Sequence, residues 1–278
     1  MSIFQLGENL VFPDPRLAEP EGLLAFGGDL EPERILMAYK MGIFPWFSDN
    51  QPILWWSPDP RMVLFPEQFH ISKTLRRRLR SKKFTVEFDR NFSEIIQYCA
   101  ITPRHGEQGT WITDEMIEAY HKLHLLGFAH CVSVSIAGKL VGGLYGISIG
   151  KGFFGESMFS LEKDVSKIGF AYLAGVLNNW GFDIIDCQLP TDHLKTLGAV
   201  KIDRTAFLNM LSQITQNPTR QGNWREKAKI EIPTLFEAGL TSIAIDASHM
   251  PDDQNLLANI ELSKYIPNWA GYETEIGE

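Results

Sequence analysis

The stretch Ala129–Phe159, AHCVSVSIAGKLVGGLYGISIGKGFFGESMF, decides the fold class. Its β-rich residues run up to Ala137-Gly138-Lys139, a hairpin-like turn, continue through a Gly-rich second strand, and resume in a third from Gly152 to Met158. Three antiparallel neighbours are predicted. Downstream, VSKIGFAYLAGVLNNWG places Ile168, Tyr172 and Val176 at four-residue spacing and stops at Gly181. DIIDCQL then reads as an apolar strand with polar residues at alternate steps, and a further helix is predicted over His193 to Leu197. Upstream, FTVEFD alternates like an edge strand, and FSEIIQYCAI has a helical pattern. ITDEMIEAYHKLHLLG is a helix with Thr113 as its cap and Gly127 as its stop. This order is α+β, shows no internal repeat, and permits a sheet split open near its middle.

The first seventy residues are rich in aromatics, prolines and glycines. Their one convincing helix runs from about Pro32 to Lys40, with Asp29 as a cap, Ile35, Leu36 and Tyr39 on the apolar side, and Gly42 and Pro45 as the stop. ILWWSPDPRMVLFP reads as a strand, a Pro-punctuated turn and a second strand, with Trp55 and Trp56 on opposite faces. The chain of 278 residues is 44% hydrophobic and 22% charged, which excludes a largely disordered protein. No apolar run approaches a membrane span, and the amino terminus lacks a secretory signal, so a soluble, membrane-free product is expected. Three cysteines without metal-ligand spacing favour a reducing, cytoplasmic location.

Charge is unevenly placed. Residues 221–278 hold four basic residues against ten acids, a net of −6 that leaves only −2 of the total −8 for residues 1–220. Within that body, ISKTLRRRLRSKKF carries Lys73, Arg76, Arg77, Arg78, Arg80, Lys82 and Lys83 with no acid among them. A solvated helix face is the bland alternative, but such faces usually mix signs. An unneutralised block favours contact with nucleic acid.

No zinc spacing, P-loop, dinucleotide fingerprint or nucleophile elbow is present. Gly142, Gly143 and Gly146 of VGGLYG fit a strand that admits a close neighbour or a ligand. Glu156, at a predicted strand end, is equally a structural ion-pair or turn residue and a carboxylate awaiting a cationic ligand. Asp186 and Gln188 share one face of their strand, opposite Ile185, Cys187 and Leu189. That pair suits orientation of an amine beside a carbonyl, although a solvent-facing strand side is slightly favoured on pattern alone. Phe153, Met158, Phe170 and Ile185 converge only if two halves close on one cleft. His105 is assigned no role.

GLLAFGGDL, GIFPWF, LWWSPDPRMVL, FGESMFS and DCQLPTDHLKTLGA, between about Phe4 and Leu211, resemble the leucyl/phenylalanyl-tRNA–protein transferase family. The resemblance implies a small N-terminal α/β domain over residues 1–62 and an acetyltransferase-like split mixed sheet over 63–220, leaving 221–278 as an acidic, partly ordered extension. It implies transfer of Leu or Phe, less often Met, from Leu-tRNA or Phe-tRNA to the N-terminal amine of proteins beginning with Arg or Lys, marking them for degradation. No cofactor or metal is implied, and a monomer is expected. Trp111, Leu144, Phe153, Met158, Phe170, Leu173, Leu177 and Ile185 look like the aminoacyl pocket, where burying the side chain is worth about 1.5–3 kcal/mol. Trp46 would stack on the terminal adenosine. Asp186, Gln188 and Glu156 are the implied catalytic set: Asp186 holding the cationic acceptor or acting as a base through Gln188, Gln188 orienting the amine, Glu156 completing the site. Lys73, Arg76, Arg77, Arg80 and Lys83 would meet the acceptor stem's phosphates. Two other classes stay open: an N-acyltransferase using an acyl-CoA-like donor, disfavoured by the missing pyrophosphate signature, and a noncatalytic RNA-binding module.

Overall fold

A computed structural model describes residues 3–81, 83–102 and 111–229. The N-terminal part contributes β1 (Phe4–Leu6), β2 (Leu23–Gly27), α1 (Pro32–Lys40), β3 (Phe44–Pro45) and β4 (Leu54–Trp56). There follow β5 (Arg61–Leu64), α2 (Lys73–Arg80), β6 (Thr85–Phe88), α3 (Phe92–Ile101), α4 (Asp114–Leu125), β7 (Ala129–Ile136), β8 (Lys139–Ile149) and β9 (Gly152–Ser160). The chain continues through α5 (Val165–Asn179), β10 (Ile184–Gln188), α6 (Asp192–Lys195), β11 (Val200–Ile202) and α7 (Arg204–Ile214). The fold is α+β. Its two sheets have the orders β1-β2-β4-β3 and β11-β5-β10-β9-β8-β7-β6.

The hairpin expected from Ala129 onward is present, with Ala137 and Gly138 both at positive φ (50° and 78°), the backbone that a tight two-residue connection requires. Thr113 caps α4 through its side chain, Ser72 caps α2, and β6 is an edge strand paired only with β7. Asp29 does not cap α1. The N-cap is Glu31, without a side-chain bond, because Asp29 turns instead to the Glu31 N–H and to the buried Arg34 guanidinium. The two strands of ILWWSPDPRMVLFP belong to different sheets: β4 lies in the small one and β5 in the large one, so a boundary after residue 62 runs through β5.

The large sheet separates two apolar clusters, as alternation along its strands requires. Phe154, Tyr145 and Ile184 join the cluster that includes α1, α3, α4, α7 and the small sheet, whereas Phe153, Leu144 and Ile185 join the one beneath α2 and α5. A single parallel pair, β9 with β10, interrupts the antiparallel order, with α5 as the crossover between its strands. The pairing lasts only from Ile184–Asp186 against Gly152–Phe154. Beyond it β9 continues to Ser160 against β8, while β10 breaks register against β5 between Asp186 and Gln188. The sheet parts there, as the split-sheet expectation required. No helix among the described residues is long and apolar enough to cross a membrane.

Candidate active site

Glu156 on β9 and Gln188 at the end of β10 stand where the strands part. Gln188 takes a left-handed backbone (φ 61°), unusual for a residue with a side chain, and Asp186 Oδ1 accepts its N–H at 2.9 Å. That bulge breaks the period of two on which a shared face for Asp186 and Gln188 was predicted. It still brings them together: Asp186 is tied to the Gln188 backbone, and Gln188 Nε2 donates to Glu156 Oε1 at 2.9 Å. A solvent-facing strand side, favoured on pattern alone, is overturned, because both Asp186 and Gln188 are buried.

Asp186 faces Arg61 of β5. The Arg61 Nε donates to Oδ1 at 2.9 Å and its Nη2 to Oδ2 at 2.7 Å, a two-point pair shut away from water. The guanidinium lies between the rings of Phe44 and Phe207, at 4.8 and 4.6 Å from their centroids, and its Nη1 reaches the Gly42 carbonyl. One arginine thus joins the N-terminal part, β10 and α7 beneath the gap.

Glu156 lies within β9, not at its end, and among the described residues it makes no ion pair. Its Oε1 accepts from Tyr39 of α1 at 2.5 Å, and its Oε2 accepts from Tyr120 of α4 at 2.8 Å. The two phenol oxygens are themselves 2.7 Å apart. Three O···O contacts need three protons, and two hydroxyls bring two. Tyr39 and Tyr120 each donate to the carboxyl, so the contact between their own oxygens competes for the same two protons. Removal from water pushes the Glu156 carboxyl up to about 7, opposed by the hydrogen bonds from Tyr39, Tyr120 and Gln188 and reinforced by the Asp186 charge. Burial likewise raises Tyr39 and Tyr120 well above the usual phenol range, keeping both protonated.

Glu156 also lines a cavity of about 690 Å³ that draws residues from both apolar clusters, Tyr145 and Phe159 from one and Phe153, Phe170 and Ile185 from the other. Leu144, Phe153, Met158, Phe170, Leu173 and Ile185, all expected in an apolar pocket, line it. Its lining does not include Trp111 or Leu177. Trp111 packs partly buried on the cluster that holds α1, α3 and α4, and Leu177 is a fully buried core residue of α5. Trp46 is half-buried against Trp56, whose Nε1 donates to the Trp46 carbonyl, and it too stands outside this cavity. Cys187, Thr191, His193 and Leu194 also line it.

Of the basic block, Lys73, Arg77, Arg80 and Lys83 are exposed and Arg76 is half-buried, while Leu75 and Leu79 anchor α2 in the core. Arg78 donates to the Lys163 carbonyl. Among the described residues no ion pair neutralises α2. Lys82 and His105 lie outside the described residues.

Tyr39, Tyr120 and Arg61 escaped the reading of the sequence as site residues. Each left a trace: a phenol on the apolar side of a helix needs a partner for its hydroxyl, and an arginine opening the run RMVL needs a counter-charge once that run is buried.

Two family models match the chain. One described as leucyl/phenylalanyl-tRNA protein transferase matches residues 63–212, and one for the N-terminal domain of the same transferase matches residues 28–59. A leucyl/phenylalanyl-tRNA–protein transferase of Maridesulfovibrio salexigens is 53% identical over 225 residues, covering 81% of this chain and 94% of the relative. The enzyme of the same name from Desulfatibacillum aliphaticivorans is 50% identical over 224 residues, covering 81% and 96%.

Proposed function

Since the chain belongs to the leucyl/phenylalanyl-tRNA–protein transferase family, we propose that it moves Leu or Phe, and less often Met, from aminoacyl-tRNA to the N-terminal amine of proteins beginning with Arg or Lys. The product is marked for degradation, the enzyme acts as a cytoplasmic monomer, and the reaction uses no metal or cofactor. The observation that carries this reading is a single wall. Glu156 belongs both to a hydrogen-bonded polar cluster and to an apolar cavity large enough for a leucyl or phenyl side chain.

The donor side chain desolvates against Leu144, Phe153, Met158, Phe170, Leu173 and Ile185, leaving its ester carbonyl at the gap between β9 and β10. Gln188 spends its Nε2 on Glu156, and its Oε1 accepts no hydrogen bond among the described residues, so it is available to the acceptor's amine. The amine nitrogen bonds to the ester carbon and the carbon–oxygen bond to the ribose breaks. The proton leaving nitrogen ends on the ribose oxygen. A carboxyl poised near neutrality at Glu156 is suited to carry that proton across. Asp186, closed in by Arg61, acts as a positioning residue through the Gln188 backbone rather than by meeting the acceptor. The exposed cations Lys73, Arg77, Arg80 and Lys83, with Arg76, take the phosphates of the donor. Trp46 and Trp111 are the aromatic candidates for the terminal adenosine and the outer end of the donor.

Transfer of labelled leucine or phenylalanine from charged tRNA to peptides beginning with Arg, Lys or Ala tests the proposal. Incorporation into the Arg and Lys peptides, and its loss in Q188A, is the expected result. Tight tRNA binding without transfer to any peptide would refute it.

A further inference from the structure

Trp224 lies past residue 212, where the family model's match ends, and packs against Phe153 of the apolar cavity. Trp224 is fully buried. Its backbone N–H donates to Asp89 Oδ2 at 2.6 Å, and the same oxygen binds His130 Nδ1 at 2.9 Å. Its indole stacks on the His130 ring at 3.6 Å and 9° and donates from Nε1 to the Arg220 carbonyl. Trp180 and Phe182 meet it edge-on at 5.1 and 5.9 Å. Phe153 meets it at 6.1 Å, and Phe153 also lines the cavity. On β8, Gly146 leaves room for that ring, since a Cβ there would stand 2.6 Å from Phe153 Cε1. Phe153 is therefore confined between a glycine and an indole.

We infer that Trp224 is a specificity-determining residue, setting the depth of the aminoacyl cavity by holding Phe153 forward from behind. This rests on the reading of the cavity as the donor side-chain pocket. Interiors are close-packed, so shrinking the indole leaves a void that neighbouring side chains relax into only in part. The neighbour that separates this void from the cavity is Phe153. Its retreat lengthens the cavity, which favours a phenyl donor and loosens contact with a leucyl one.

The test compares kcat/KM for Leu-tRNA and Phe-tRNA, with one Arg-initiated peptide, in the wild type, W224L, W224F and the lining variant L173A. A lost or gained methylene in such a pocket changes selectivity by about 10- to 200-fold, so a partial retreat of Phe153 in W224L should raise the Phe:Leu ratio roughly fivefold. The smaller deletion in W224F should raise it about twofold, and this variant carries the test if W224L does not fold. A merely structural tryptophan would lower both donors by one factor, and an unchanged ratio in folded W224L or W224F overturns the inference. If L173A shifts the ratio while both Trp224 variants do not, the inference fails and the pocket reading stands. If no variant shifts it, the pocket reading fails as well.

Discussion

Asp186 and Glu156 sit on adjacent strands, yet their surroundings differ in kind. Asp186 has a guanidinium against both oxygens, and Glu156 has two phenols and an amide. Identical chemistry is thereby assigned different work. The first carboxylate is locked to a permanent cation and fixes the strained Gln188 backbone. The second meets no cation among the described residues and, through burial and the nearby Asp186 charge, retains its proton towards neutrality. The position of a carboxylate in the sequence does not decide which role it takes; the residues that other elements bring to it do.

The largest effect should come from dismantling the Asp186 side. Removing one partner of a buried ion pair typically costs about 3–5 kcal/mol, so R61M should lose that much stability in denaturant unfolding. Replacing both partners, as in R61M/D186L, should recover part of the loss. A loss under 1 kcal/mol in R61M would mean that the pair contributes little to holding β5 and β10 together.

On the Glu156 side the effect depends on pH. The folded carboxyl is raised from an ordinary 4.5 to about 7, so its contribution is fully present below 4.5 and is lost as pH rises through 7. The wild type should lose roughly 3 kcal/mol of stability relative to E156Q across that window. Parallel pH–stability curves for the two proteins would contradict the raised pKa.

Smaller again is the cost of breaking the phenol–carboxyl cluster. Y39F and Y120F each leave a polar contact unmet, for an expected loss of about 1–3 kcal/mol in thermal or denaturant unfolding. Least affected should be the exterior. R77Q/R80Q should change stability by no more than about 0.5 kcal/mol. Its tRNA affinity should nonetheless fall, and its log–log salt slope should shrink by about 1.5 for two lost phosphate contacts. An unchanged salt slope would remove α2 from the donor-binding surface.

The contrast also shows what the sequence made legible. Periodicity located α1, α3, α4, α5 and the β7–β8 hairpin because those features follow from local spacing and turn chemistry. The grouping of Leu144, Phe153, Met158, Phe170, Leu173 and Ile185 was legible through long motifs, whereas Leu177 shares their character and is buried elsewhere. Asp186 and Gln188 looked half solvent-exposed because strand alternation carries no information about Arg61, which is 125 residues from Asp186 along the chain. Tyr39 and Tyr120 are 117 and 36 residues from Glu156, so their convergence depends on how α1 and α4 pack. Trp224 looked like part of an acidic appendage, and its burial follows from the Asp89–His130 pair that receives it.

The division of labour between the two carboxylates is tested most directly by an NMR titration of protein labelled with ¹³C at the glutamate carboxyls. The account predicts one glutamate resonance with a midpoint near 7, missing in E156Q and still present in Q188A. Titration of every glutamate carboxyl in the ordinary range around 4.3 would contradict it.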